Sequence, residues 1–119
     1  MTRTALPRET GREGVMRACY ELLEAERLLP QRMNAGDRIV ESKGKRYRIR
    51  GHKQGTADIL FFIGAHPVWL ECKRPTETLT YEQQLFADDV MQRGHTFIVI
   101  DDPTQLQEWL RERKAQHER

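Results

Sequence analysis

The sequence predicts a mixed α/β fold, with one β-sheet flanked by helices in the order α-β-β-β-β-α-β-α. Three observations predict it: apolar residues recur at helical spacing in separate segments, short apolar runs lie between those segments, and turn-forming residues bound the runs. A chain of 119 residues suits one domain, so we expect a single domain over residues 1–119 with flexible extreme termini.

The first helix is predicted over residues 11–28, where apolar side chains recur three and four positions apart. Thr10 and Glu13 form the pattern of a capping box at its start, and Pro30 marks its end. The chain therefore opens its ordered part with an amphipathic helix.

Two more helices are predicted in the second half of the chain. One spans Tyr81–Gln92, with Thr80 as its cap and Gly94 after its end. A buried strand over residues 96–100 follows it, and the Asp-Pro pair at 102–103 opens the last helix.

The remaining strands are predicted as two hairpins. Residues 38–40 and 46–50 alternate polar and apolar, so the arginines of the second segment share one face. Residues 58–63 and 68–73 are stronger strands, joined by the turn-forming residues 64–67.

The second hairpin brings three charged residues to one patch. If its four-residue turn pairs Ile63 with Val68, then Asp58 lies opposite Lys73 and diagonal to Glu71. Diagonal neighbours lie roughly 7–8 Å apart at the backbone, within reach of one bound cation. All three side chains then point to the same face of the sheet.

This patch has the parts of a phosphodiester hydrolase. Mg²⁺ is commonly held by one or two carboxylates, here Asp58 and Glu71, and a bound metal can activate water and stabilise phosphate charge. Lys73 can orient that water or help to neutralise the transition state. The alternative is structural: an Asp58–Lys73 cross-strand pair at the end of a sheet, with Glu71 simply solvated.

The charge is distributed unevenly. Residues 1–57 carry 13 basic and 7 acidic side chains, whereas residues 58–119 carry 7 and 11. Residues 38–53 hold seven basic residues and one acid, which indicates a polyanionic partner, although a solvated basic loop would look the same. There is no membrane-spanning or secretory apolar run and only two cysteines, so we expect a reducing, cytoplasmic setting.

Several motifs resemble a known family. Residues 55–58 (GTAD) and 69–73 (WLECK) resemble the PD-(D/E)XK nuclease signature, with alanine in place of its proline. Residues 79–83 (LTYEQ) resemble the helix-opening motif of the VRR-NUC (virus-type replication-repair nuclease) family. Residues 32–36 (RMNAG) and the segment that begins at Gly94 also fit that family. The resemblance covers about residues 10 to 102.

The resemblance implies a restriction-endonuclease-like fold and a role for each matching residue. Asp58 and Glu71 would bind Mg²⁺ or Mn²⁺ together with the backbone carbonyl of Cys72, and Lys73 would be the catalytic lysine. Gln83 would contact a metal-bound water or the phosphate. The family also places an acid on the first helix. Our candidates are Glu13, as a further catalytic residue and metal ligand, and then Glu9. Helix capping is an alternative role for Glu13 and Gln83.

The resemblance further implies an endonuclease that cleaves branched or duplex DNA, such as Holliday junctions, and acts as a homodimer. It implies a bacterial or phage-encoded protein in the host cytoplasm, without a small-molecule cofactor. The expected phosphate-binding residues are Arg46, Arg48, Arg50, Lys53, Lys45 and Arg74. Two alternatives remain open from the sequence: a DNA-binding module without catalysis, and an interaction protein without a nucleic-acid partner.

Overall fold

The computed structural model describes residues 12–33, 38–49 and 53–117. The predicted order is found, with one short added strand, β1. The elements are α1 (Arg12–Ala25), β1 (Gln31–Arg32), β2 (Arg38–Ser42), β3 (Lys45–Ile49), β4 (Ile59–Ile63), β5 (His66–Cys72), α2 (Tyr81–Gln92), β6 (Thr96–Ile100) and α3 (Pro103–His117).

Among the described residues the strands form two sheets rather than the expected one. The main sheet is mixed and has the order β1-β4-β5-β6, with β5 and β6 parallel and the other pairs antiparallel. The β2–β3 hairpin forms a sheet of its own. Its described side chains are exposed on both faces, the apolar Ile39, Val40 and Tyr47 among them.

Helices α1 and α3 pack on one face of the main sheet. Because side chains alternate along a strand, every second residue of β4 and β5 points into this core. The residues that meet there include Met16, Cys19, Leu23, Ile59, Phe61, Val68, Leu70, Leu106 and Leu110. On the other face Trp69 makes an edge-to-face contact with Phe86 of α2. No helix in the described part of the chain is long and apolar enough to cross a bilayer.

The first helix ends three residues before its predicted end at Leu28. The described helix begins at Arg12 and ends at Ala25, because Arg27 takes a left-handed conformation, with φ of 58°, and turns the chain. The predicted cap at Thr10 lies outside the described residues, as do both extreme termini.

The predicted register of the β4–β5 hairpin is wrong by two residues. Ile63 pairs with His66, so the turn has two residues instead of four, and Gly64 takes a φ of 59° at its first central position. Pro67 is tolerated in β5 because β6 joins the sheet only at Val68. A shift of two residues keeps every side chain on its predicted face.

Candidate active site

The corrected register brings the two carboxylates directly opposite each other. Ile59 pairs with Leu70, so one step further the ladder sets Asp58 across from Glu71 rather than from Lys73. Both acids are only 1% exposed, and Lys73 is 5% exposed. Buried charges are costly unless they are paired and hydrogen-bonded, so their surroundings decide what the site can do.

Asp58 is held through both carboxylate oxygens. Its Oδ2 accepts a hydrogen bond of 2.9 Å from the backbone N–H of Cys72, and its Oδ1 accepts one of 2.9 Å from Nη2 of Arg12. The N–H and C=O of one strand residue point to the same side, so the carbonyl of Cys72 also points towards Asp58. The carbonyl implied as a metal ligand is thus on the side where the carboxylates meet.

Glu71 is held through one oxygen only. Its Oε1 accepts a 2.8 Å hydrogen bond from Nε2 of Gln83, and it lies 3.6 Å from Nη2 of Arg12 and 3.9 Å from Nζ of Lys73. Its Oε2 is buried, and none of the described residues gives it a hydrogen-bond partner. A bound proton or cation would satisfy this buried acceptor.

The pKa of Glu71 reflects this environment. Burial raises it most and the negative charge of Asp58 raises it further, while Arg12 and Lys73 lower it, which leaves the pKa at about 7 against an ordinary value of 4.5. Near neutral pH the carboxyl group is therefore divided between its acid and its ionised form. A divalent cation beside it would favour the ionised form.

Gln83 has two roles at once. Its Oε1 accepts from the backbone N–H of Thr80 at 2.9 Å, while Thr80 Oγ1 accepts from the Gln83 backbone, so the pair forms a capping box at the start of α2. Its amide nitrogen is then free to donate to Glu71. The capping box is present together with a contact to Glu71, and the contact of Gln83 with a metal-bound water or phosphate stays a prediction.

Arg12 is the site residue that the sequence analysis missed. Its guanidinium contacts both carboxylates, in the region where we predicted the acid Glu13. Burial lowers the pKa of Arg12, but the opposite charges of Asp58 and Glu71 outweigh that effect and raise it above its ordinary value. The guanidinium is therefore a permanent positive charge at the site.

Glu13 points away from the carboxylate pair. Its side chain is 80% exposed, and its Oε2 lies 3.7 Å from Nη2 of Arg32, beside a cavity lined also by Met16 and Tyr20. Glu9 lies outside the described residues. The structure thus does not bring Glu13, the first candidate, to Asp58.

Helix periodicity is the signal that could have identified Arg12. The most deeply buried residues of α1 are Met16, Cys19 and Leu23. Position 12 continues this stripe towards the start of the helix, four residues before Met16 and seven before Cys19. Position 13 lies about 100° further round the helix axis, which is enough to turn Glu13 out of the site.

The donor set suits a small, hard cation that prefers oxygen ligands. Among the described residues no group of three or more His, Cys, Asp or Glu side chains lies together as a metal site, so the ligands would be Asp58, Glu71 and the carbonyl of Cys72. That set fits Mg²⁺ or Mn²⁺, which complete their shell with water and phosphate oxygens. The Cys72 thiol is unsuitable for chemistry, because a hydrogen bond with Cys19 and burial raise its pKa.

A glycine fixes the loop that leads into the site. Gly55 has a φ of 89°, and a Cβ there would lie 2.4 Å from the backbone oxygen of Glu82 in α2. Only glycine allows this approach. The loop before Asp58 is thus pressed against the first turn of the helix that carries Gln83.

The predicted phosphate-binding residues are dispersed. Arg46 and Arg48 share one face of the β2–β3 hairpin, as predicted, while Lys45 lies on the other face. Lys53 is exposed in the loop before Gly55, and the exposed Arg74 follows β5 with its Nε 3.8 Å from Glu77. Arg50 lies outside the described residues.

Comparison with known proteins adds no relative: no family model, curated protein or solved structure matches the chain.

Proposed function

We propose that this protein is an endonuclease that hydrolyses phosphodiester bonds in DNA and depends on Mg²⁺ or Mn²⁺. One observation carries the proposal. Glu71 presents a buried carboxylate oxygen without a partner among the described residues, directly across the sheet from a second buried carboxylate, Asp58.

The energetics favour a cation at this point. Burial and the neighbouring Asp58 both work against ionised Glu71. A protein that needed this acid only for structure could replace it by an apolar residue of similar volume, often without loss of stability. A buried carboxylate with one oxygen that lacks a partner among the described residues is therefore better explained as a metal ligand.

The metal ion and the residues around it would have separate roles in the reaction. When bound, the metal ion would supply Lewis-acid stabilisation of the phosphate and a more acidic water. Lys73 is held almost fully buried beside Glu71, so its ammonium group is positioned to stabilise negative charge that develops on the phosphate. Gln83 fixes the orientation of the Glu71 carboxylate through its 2.8 Å hydrogen bond.

The choice of DNA as substrate rests on charge and on the resemblance to the VRR-NUC family. The exposed basic residues of the β2–β3 hairpin suit a phosphate backbone, which would give recognition of shape rather than of sequence. The resemblance favours branched DNA, a homodimer and a cytoplasmic setting.

A second candidate function has its own observation. Arg12 and Lys73 supply two positive charges beside two carboxylates, so the cluster is charge-balanced without a metal ion. A DNA-binding module that keeps this cluster as an ion network would have the same described contacts.

A cleavage assay separates the two candidates. Junction, flap, nicked and single-stranded DNAs would be incubated with Mg²⁺, with Mn²⁺ and with EDTA. The wild-type protein should cleave only with metal, and Asp58→Asn should not cleave although it binds DNA. Glu108→Gln, an exposed acid on α3, is the matched control and should retain full activity. DNA binding without metal-dependent cleavage would favour the binding module.

A further inference from the structure

We propose that Arg12 is the resident counter-ion of the carboxylate pair and that a divalent cation binds by displacing it, so that Arg12 sets the metal affinity of the site. This inference rests on the proposed function, because it requires that the pair binds a metal ion.

The contacts place Arg12 between the two acids. The same nitrogen, Nη2, lies 2.9 Å from Oδ1 of Asp58 and 3.6 Å from Oε1 of Glu71. A cation held by these two carboxylates would lie close to this guanidinium, whichever carboxylate oxygens it used. Two positive charges so close together repel strongly in a buried setting, so the guanidinium and the metal ion compete.

Arg12 is also the cation that can leave. Its side chain is 41% exposed, whereas the side chain of Lys73 is 6% exposed. Rotation about the side-chain torsions of Arg12 would carry the guanidinium towards solvent and leave the backbone of α1 unchanged. Because Arg12 stays protonated at any ordinary pH, it can give way only by moving.

Arg12 would stabilise the protein when no metal ion is bound. Without a cation, two carboxylates that are each 1% exposed would face each other. Arg12 offsets that repulsion until a metal ion arrives. Lys73 contributes less to this, because its Nζ lies 3.9 Å from Oε1 of Glu71, whereas Nη2 of Arg12 contacts Asp58 at 2.9 Å as well as the same Glu71 oxygen at 3.6 Å.

Metal binding measured by calorimetry tests this exchange without any cleavage step. Mg²⁺ and Mn²⁺ would be titrated into the wild-type protein, Arg12→Gln, Arg12→Lys and the control Arg111→Gln, which removes an exposed charge from α3. We expect Arg12→Gln to bind at least about tenfold more tightly, since a nearby positive charge is gone. Arg12→Lys should stay close to wild type, and Arg111→Gln should be unchanged.

A second measurement follows the displacement directly. In ¹⁵N-labelled wild-type protein, the Arg12 side-chain signal should be protected from solvent exchange without metal and lose that protection at saturating Mg²⁺. If the wild-type protein binds metal but Arg12→Gln binds with equal or weaker affinity, the displacement model is wrong and the proposed function stands. If neither protein binds metal, both proposals fail. Should Arg12→Gln not fold, Arg12→Lys and the labelled wild type decide the question.

Discussion

Replacing Glu71 by glutamine should make the metal-free protein more stable while it removes cleavage. Glutamine has the shape of protonated glutamic acid and keeps an oxygen for the hydrogen bond from Gln83. It removes the negative charge that burial and Asp58 disfavour. The substitution therefore separates the cost of the buried charge from the loss of a ligand.

The magnitude follows from the pKa of Glu71. The unfolded chain releases this proton near pH 4.5, whereas the folded protein keeps it up to about pH 7. Between these values the folded state binds more protons, so its stability falls as the pH rises. The full difference corresponds to about 3 kcal/mol, and Glu71→Gln should recover most of it at pH 8 and little at pH 5.

Thermal unfolding in EDTA at pH 5 and pH 8 measures this effect. At pH 8 the variant should melt on the order of 10 °C above wild type, and the gap should close at pH 5. Glu108→Gln serves as the control and should show no such pH dependence. Saturating Mg²⁺ should stabilise wild type and leave Glu71→Gln unchanged. A variant that melts at or below wild type at pH 8 would refute the reasoning.

Three other variants have defined outcomes. Lys73→Met should slow cleavage on the order of a hundredfold or more, and its metal affinity should equal or exceed that of wild type. Weaker metal binding together with near-normal turnover at saturating metal would instead show that Lys73 has a structural role. Replacing Arg46 and Arg48 by Ala should lower the salt dependence of duplex binding by a slope of about 0.9 per lost phosphate contact, and an unchanged slope would contradict it. Gly55→Ala should destabilise the protein, in urea unfolding, by more than the 1–3 kcal/mol or so of backbone strain alone, because its Cβ also meets α2. Gly64→Ala is the control, with positive φ but open space, and an equal loss there would remove the contact argument.

The shared face of Asp58, Glu71 and Lys73 could be predicted because side-chain direction in a strand depends only on odd or even position. Their exact neighbours could not, because residues 64–67 contain both a glycine and a proline and allow a two-residue or a four-residue turn. An error of two positions changed the partner of Asp58 and preserved the patch.

The helix contribution was harder to predict. The periodicity of α1 places position 12 on its buried stripe, but whether that end of the stripe reaches Asp58 depends on how α1 lies across the sheet. The separate hairpin was missed for a similar reason. Alternation within β2 and β3 predicts that they pair, but it holds no information on whether that pair joins β4.

The site can form only after α2 has begun at its capping box. Gln83 can orient Glu71 only when α2 has begun at Thr80, and Gly55 fits against α2 only when its first turn has formed. A chain with a frayed α2 would therefore lack both the oriented carboxylate and the positioned loop before Asp58. Under the proposed function, partly folded molecules would therefore not cleave DNA.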